Sequence, residues 1–184
     1  ITADLRARFS MAAEEVASEL VTSKGVVVER GVVDARARAV ARVHRIEAPP
    51  GRTSPTTLRV LSFEVDAPDA EAFGKATLRV TWDDRARPSV DAPVQLFFGT
   101  GSLFNRDDRE WLVRAFPVSV HFVPKAPSPA KPRVRFTTIL PMPFMRSASI
   151  DLALATPLQG NVEWEIASSA NTHSAFKPNW LGYL

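Results

Sequence analysis

The chain has 184 residues, of which 45% are apolar, so it is long enough to fold around one sizeable core. Its formal net charge of +3 is only a weak basic bias, and the absence of cysteine excludes disulfides, thiol catalysis and cysteine metal sites. That absence leaves the compartment open between cytoplasmic and secreted, and no apolar run is long enough for a membrane-spanning helix, so no membrane partner is expected.

The first 24 residues predict a helix, which we place at residues 4–21. Gly25 can end it after Lys24. Its apolar residues recur at helical spacing: Leu5, Phe9, Ala12, Ala13, Val16 and Leu20. Such a stripe is typical of a face that packs on a core, and a cofactor or membrane contact is the alternative.

After Gly25, small or apolar residues alternate with polar ones, and this period of two predicts a strand at residues 31–46 with one basic face. The face is formed by Arg36, Arg38, Arg42 and His44, and Arg45 would join the three arginines if the chain bound nucleic acid. It is consistent with an anion or nucleic-acid surface, but the pattern favours a solvated strand face or an alanine-rich helix. No aromatic residues interleave with the arginines as stacking platforms, which argues against nucleic acid as a partner.

Further strand patterns follow as far as residue 168, separated by the turns that 15 prolines and 8 glycines supply. We place them at residues 57–66, 76–82, 92–98, 114–123, 133–140, 148–155 and 161–168. Asn105 can cap a short helix between two of them. The total predicts an all-β jelly-roll sandwich of about eight antiparallel strands over residues 25–170, with strand 114–123 paired to strand 133–140 across a proline-rich loop.

Residues 171–184 form an apolar tail without a strand pattern. It carries Phe176, Trp180, Leu181, Tyr183 and Leu184. Exposed apolar segments usually mark contact sites. We expect the tail to dock on this domain, on a further domain or on a neighbouring subunit, and therefore expect self-association.

Two carboxylate-containing segments can carry chemistry. Trp82 and Asp83 end one predicted strand, and Phe98 ends the next, so rings and an acid can cluster where sugars are bound. The alternative is ordinary turn chemistry. Glu163 and Glu165 flank Trp164 at a spacing of ~7 Å, within the range of glycosidase carboxylates, or they form a solvated face with Val162, Trp164 and Ile166 inward.

Other familiar sites are missing from the sequence. It has no glycine-rich phosphate loop and no Gly-x-Ser-x-Gly elbow. The histidines are scattered singly at positions 44, 121 and 173, without metal-ligand spacing. We therefore expect neither a cofactor nor a metal.

Two segments resemble a bacterial enzyme family. The first is LRVTWDDRARPSVDAPVQLFFG at residues 78–99, and the second is PMPFMRSASI at residues 141–150, followed by a strand and NVEWEI. They resemble glycoside hydrolase family 172, which contains α-D-fructofuranosidases and D-arabinofuranosidases. The family pattern is Trp-Asp-Gly-Glu, then Pro-Ser-Val-Glu-x-Pro, then Gly-Asp-Phe-Phe-Gly, and later Pro-Met-Pro-Phe with a basic residue and Ser-Ala.

This resemblance implies a fold of two tandem jelly rolls in trimers or hexamers, of which this chain covers the first. Trp82 would stack on a furanoside or wall its pocket, Asp83 would accept a hydroxyl hydrogen bond, and Phe98 would lie beside them as substrate-binding residues. The chain departs from the pattern at Asp84 and Arg85 and again at Gln95 and Leu96. The family's catalytic glutamates belong to the second jelly roll, so no catalytic residue is assigned here.

Two functions from different classes remain open. The chain is part of a furanoside-acting glycoside hydrolase with carbohydrate as its partner, or it is a non-catalytic jelly-roll domain that binds carbohydrate or forms an assembly. The replaced family acids favour the second, and the matched clusters Trp82-Asp83 and Phe97-Phe98-Gly99 favour the first. The fold alone cannot separate them.

Overall fold

The computed structural model describes residues 12–36, 40–51, 54–101, 109–123 and 132–170. Within them lie eleven strands and three short α-helices. The helices are α1 (Ala13–Val21), α2 (Ala70–Gly74) and α3 (Val94–Phe97). The strands are β1 (Val26–Asp34), β2 (Val40–Glu47), β3 (Thr56–Asp66), β4 (Thr77–Trp82), β5 (Val90–Pro93), β6 (Trp111–Arg114), β7 (Val118–Val123), β8 (Arg133–Thr138), β9 (Met142–Phe144), β10 (Ser147–Ala153) and β11 (Asn161–Ala170).

The strands form two sheets in jelly-roll order. The larger sheet runs β1-β11-β3-β8-β7-β6 with β9 also paired to β3, and the smaller runs β2-β10-β4-β5. All these pairings are antiparallel. Eight strands give the two interleaved four-stranded halves of a jelly roll, and β6, β7 and β9 extend the larger sheet. The predicted all-β sandwich is thus confirmed.

The core lies between the two sheets, where alternate residues of each strand point inward. Leu61, Phe63 and Val65 of β3 are fully buried there, as are Ile150 and Leu152 of β10. Phenylalanines fill the centre in edge-to-face contacts, such as that between Phe73 and Phe136 with ring centroids 5.2 Å apart. Leu78 and Val80 of β4 share this core with Ile150 and Leu152, so it holds together the two strands whose ends carry the candidate site.

Helix α1 covers part of the outer face of the larger sheet, which confirms the predicted N-terminal helix over Ala13–Val21. The beginning of the predicted helix lies outside the described residues. Val16 and Ala17 pack on Val60, Ile139 and Ala167. Glu14 is bound by Arg135 and Thr137, so the first turn of the helix is also held by polar contacts.

Some predicted element bounds were wrong. Residues 31–46 are not one strand, because β1 ends at Asp34 and β2, in the other sheet, begins at Val40. Residues 94–97 are helical, and residues 114–123 divide at Pro117 into the antiparallel partners β6 and β7. The predicted pairing across the proline-rich loop is confirmed for β7 and β8.

Three expectations fall on parts of the chain outside the described residues. They are the helix capped by Asn105, the proline-rich loop itself over residues 124–131, and the apolar tail at residues 171–184. The tail's docking and the trimeric assembly expected from it and from the resemblance stay predictions.

Candidate functional site

The turn after β4 has an uncommon backbone. Asp83 and Asp84 both lie in the left-handed region, with φ of 54° and 58°. The N–H of Arg85 donates to the carbonyl of Trp82 at 3.1 Å, which closes the turn. Two consecutive left-handed residues define a type I′ turn, and aspartate is among the few non-glycine residues that tolerate this conformation.

Asp83 joins this turn to the one before β10. Its Oδ1 accepts backbone N–H groups from Met145 at 2.9 Å, Arg146 at 2.6 Å and Ser147 at 3.3 Å. Its own N–H donates to the carbonyl of Ser147 at 2.8 Å, and Nη2 of Arg146 donates to its carbonyl at 2.6 Å. One carboxylate oxygen of Asp83 is therefore used to order the neighbouring turn.

These contacts also change how Asp83 ionises. Partial burial raises the pKa of its carboxyl, but the backbone N–H groups of Arg146, Ser147 and Met145, with the charge of Arg146, outweigh burial and hold the pKa below its ordinary value. Asp83 is thus a stable anion rather than a proton donor at neutral pH.

Trp82 belongs to the same cluster. Its ring is half-buried and stacks on Phe144 with centroids 6.2 Å apart and planes 8° from parallel. Phe144 is almost completely buried, whereas the next residue, Met145, is 46% exposed. The structure therefore brings together the two motif-bearing segments, which are about sixty residues apart in the chain.

Asp84 faces a different partner. Its Oδ1 lies 2.8 Å from Nη1 of Arg45 on β2, and Arg45 also binds Glu47 and Ser149. The hydrogen bond to Asp84, and then the one to Glu47, raise the pKa of Arg45 above its ordinary value. They lower the pKa of Asp84 in turn, with the Arg45 hydrogen bond as the largest cause.

Phe98 is not part of this cluster. It is fully buried, and its ring contacts Phe63, Phe97 and Phe136 inside the core. β5 is antiparallel to β4 with Thr77 opposite Pro93, so Phe98 follows the strand end that lies ~17 Å from Trp82. Phe98 therefore does not cluster with Trp82 and Asp83 as expected, because neighbouring antiparallel strands finish at opposite ends of the sheet.

Glu163 and Glu165 lie on the outer face of the larger sheet, as the alternation predicted, with Val162 and Ile166 buried on the other side. Nε of Arg30 donates to Glu165 at 2.6 Å, and Nη1 of Arg133 lies 2.7 Å from Glu163. Glu163, Glu165 and Arg30 line a shallow cleft of about 300 Å³. No sequence pattern pointed to Glu64, which faces Glu163 across the strands and binds both Arg133 and Arg135. The arrangement is an ion-pair network whose centre, Arg133 with Glu64, is largely buried, whereas Glu163 at its rim is exposed.

The basic face predicted over residues 36–45 is largely neutralised. Arg36 binds Asp34 in two hydrogen bonds, Arg42 binds Asp151, and Arg45 binds Asp84. Arg38 lies outside the described residues. Guanidinium groups already held by carboxylates make a poor surface for a phosphate backbone.

Two kinds of feature are absent from the described residues. No group of three or more histidine, aspartate or glutamate side chains there is placed to hold a metal ion. No helix among them is long and apolar enough to cross a membrane.

The chain matches no known family model and no curated protein. The resemblance to glycoside hydrolase family 172 therefore depends on the motif residues alone.

Proposed function

We propose that this chain is a furanoside-binding jelly-roll domain that does not itself hydrolyse its ligand. The observation that carries the proposal is the contact between the two motif segments, made through Asp83 and through the stacking of Trp82 on Phe144. Residues of the two motif segments, although distant in sequence, therefore lie side by side at the end of the smaller sheet.

The ligand would be a furanose ring with its apolar face against Trp82 and Met145. Aromatic and apolar surface recognises the C–H face of a sugar, and charged groups beside it hydrogen-bond the hydroxyls. Asp84 has a side chain that is 54% exposed, and Arg146 is also exposed. These two supply an acceptor and a donor, while Asp83 orders the turn that carries Arg146.

Hydrolysis is not proposed for this chain, because the carboxylates at this surface already have structural partners. A retaining glycosidase needs two carboxyl groups ~5–5.5 Å apart on either side of the bond, one of which donates a proton. Here Asp83 is tied to three backbone N–H groups and Asp84 to Arg45. The resemblance implies catalytic glutamates in a second jelly roll.

The test is calorimetric titration of the chain with aryl α-D-fructofuranoside and aryl α-D-arabinofuranoside, with turnover assayed in parallel. We expect binding without turnover, and at least tenfold weaker binding after Trp82→Ala, because the stacking surface is lost. Trp111→Ala is the matched control. Trp111 is another half-buried tryptophan, stacked on His121 with ring centroids 4.4 Å apart at the edge of the larger sheet.

Three results would contradict the proposal. They are a lack of binding by the parental chain, an equal loss in both tryptophan variants, and robust turnover that Asp83→Asn abolishes. The last would place catalysis at this turn.

A second candidate function is a non-catalytic assembly domain. It is favoured by Val32 and Val40, which are 59% and 62% exposed on β1 and β2, the strands that begin the two sheets. Apolar edge strands readily pair with another chain. Light scattering that gives a trimer, together with no sugar binding, would support this candidate, and a monomer at micromolar concentration would count against it.

A further inference from the structure

A second cleft opens at the edge of the sandwich where β1 and β2 face each other. Its volume is about 280 Å³. It lies between the sheets, and its walls include Val27 of β1, Ile46 of β2, Pro49, Thr56 of β3 and Ala170 of β11. The cleft therefore leads from solvent to the core residue Ile46.

Two features of this cleft indicate that another group binds in it. Val27 is 60% exposed although it is on the face of β1 that is turned toward the other sheet. Thr56 is 5% exposed, and its hydroxyl has no hydrogen-bond partner among the described residues. Buried hydroxyl groups are almost always satisfied, so the fitting occupant offers both apolar surface and a hydrogen-bonding group such as a backbone amide.

We propose that residues 171–184 of the same chain dock in this cleft. Ala170 is the last residue of β11, pairs with Thr56 and itself lines the cleft, so residue 171 starts at its mouth. The segment then supplies Phe176, Trp180, Leu181, Tyr183 and Leu184. A cleft of this volume accepts about one large aromatic side chain.

Charge and chain length agree with this occupant. The rim carries Glu29, Glu47 and Arg45, a net negative charge, whereas the segment has Lys177 and no acidic residue. The six residues from Ala170 to Phe176 span at most ~20 Å, so Phe176 stays within reach of the cleft. Tethering gives the segment an effective concentration on the order of millimolar, so even a weak contact would be occupied.

The experiment measures binding of a fluorescein-labelled peptide of residues 171–184 to full-length chains by anisotropy. The host chain carries Phe176→Asp and Trp180→Asp, which prevent its own segment from docking. Val27→Asp is then added in one host and Val32→Asp in another. The two valines are matched, because they are 60% and 59% exposed on opposite faces of β1.

We expect the peptide to bind the host and to bind at least tenfold more weakly after Val27→Asp. Its affinity should change less than twofold after Val32→Asp. The unmodified chain should bind it at least tenfold more weakly than the host, since its own segment competes. Failure to bind the host, or equal losses from the two valine variants, would overturn the proposal. A dimer of the unmodified chain that becomes a monomer with Phe176→Asp and Trp180→Asp would assign the segment to a second copy and also overturn it.

Discussion

Asp83 combines a left-handed backbone with a carboxylate oxygen that accepts three backbone N–H groups. The sequence alone allowed two roles for it, a sugar ligand or a turn residue, because both use an aspartate after a strand. The deciding partners are more than sixty residues away, at Met145, Arg146 and Ser147. No local pattern around Asp83 points to them, so only the folded chain could separate the two roles.

Replacing Asp83 should destabilise the fold in a graded way. Asp83→Ala removes the acceptor and places a less tolerant residue at positive φ, so the free energy of unfolding should fall by about 2–3 kcal/mol. Asp83→Asn keeps an oxygen acceptor and tolerates the left-handed region, so its cost should stay below about 1 kcal/mol. Urea unfolding measures both, and equal effects of the two variants would show that the cap is unimportant.

The lowered pKa of Asp83 predicts that the difference in stability between the parental chain and Asp83→Asn depends on pH. Stability from a carboxylate whose pKa is depressed on folding is present above its unfolded pKa, ~3.9, and is lost as the pH falls through the folded value. Asparagine does not titrate. The stability gap between the parental chain and Asp83→Asn should therefore narrow as the pH falls from about 5 to about 3, and a constant gap would contradict this.

The sequence predicted most of the strands but fewer of the residues at which they end. β3, β4, β8, β10 and β11 were predicted within a few residues, since their alternation matches a sandwich with one face inward. The division of residues 114–123 was missed despite Pro117, which is a strand-breaking residue. The assignment of β1 and β2 to different sheets could not be predicted, because alternation looks the same in either sheet.

Helix α1 should be separable from the sandwich by one substitution. Val16 is 5% exposed and packs with Ala17 on Val60, Ile139 and Ala167, outside the core between the sheets. Val16→Asp buries an unpaired charge, so it should cost about 3 kcal/mol and release the helix.

Hydrogen exchange is the measurement for this change. In Val16→Asp, amides of Ala13–Val21 should exchange faster, while those of β10 keep their protection. Ser18→Asp adds the same group to the exposed face of the same helix and should leave exchange unchanged. Equal loss of protection in α1 and β10 would show instead that the helix and the core unfold as one unit.

The two sheets are linked at their β1 and β2 edges by Trp164. Its ring packs against Gly31 of β1 in the larger sheet and stacks on His44 of β2 in the smaller, with ring centroids 4.9 Å apart. Nε2 of His44 also lies 3.1 Å from Oε2 of Glu29. The inward direction of Trp164 was predicted from alternation, but its partners depend on how the two sheets stack.

Gly31 should therefore be intolerant of a side chain although its backbone is not in the left-handed region. A Cβ added there would lie 2.4 Å from Cζ2 of Trp164, and His44 limits movement of the indole away from it. Gly31→Ala should lower the free energy of unfolding by about 2 kcal/mol, because overpacking forces the ring out of place. The smaller ring of Trp164→Phe should relieve the clash, so the double variant should be about 1 kcal/mol more stable than the sum of the single effects requires. Urea unfolding of the four proteins gives this coupling energy, and strictly additive effects would show that Trp164 does not hold the two sheets together against Gly31.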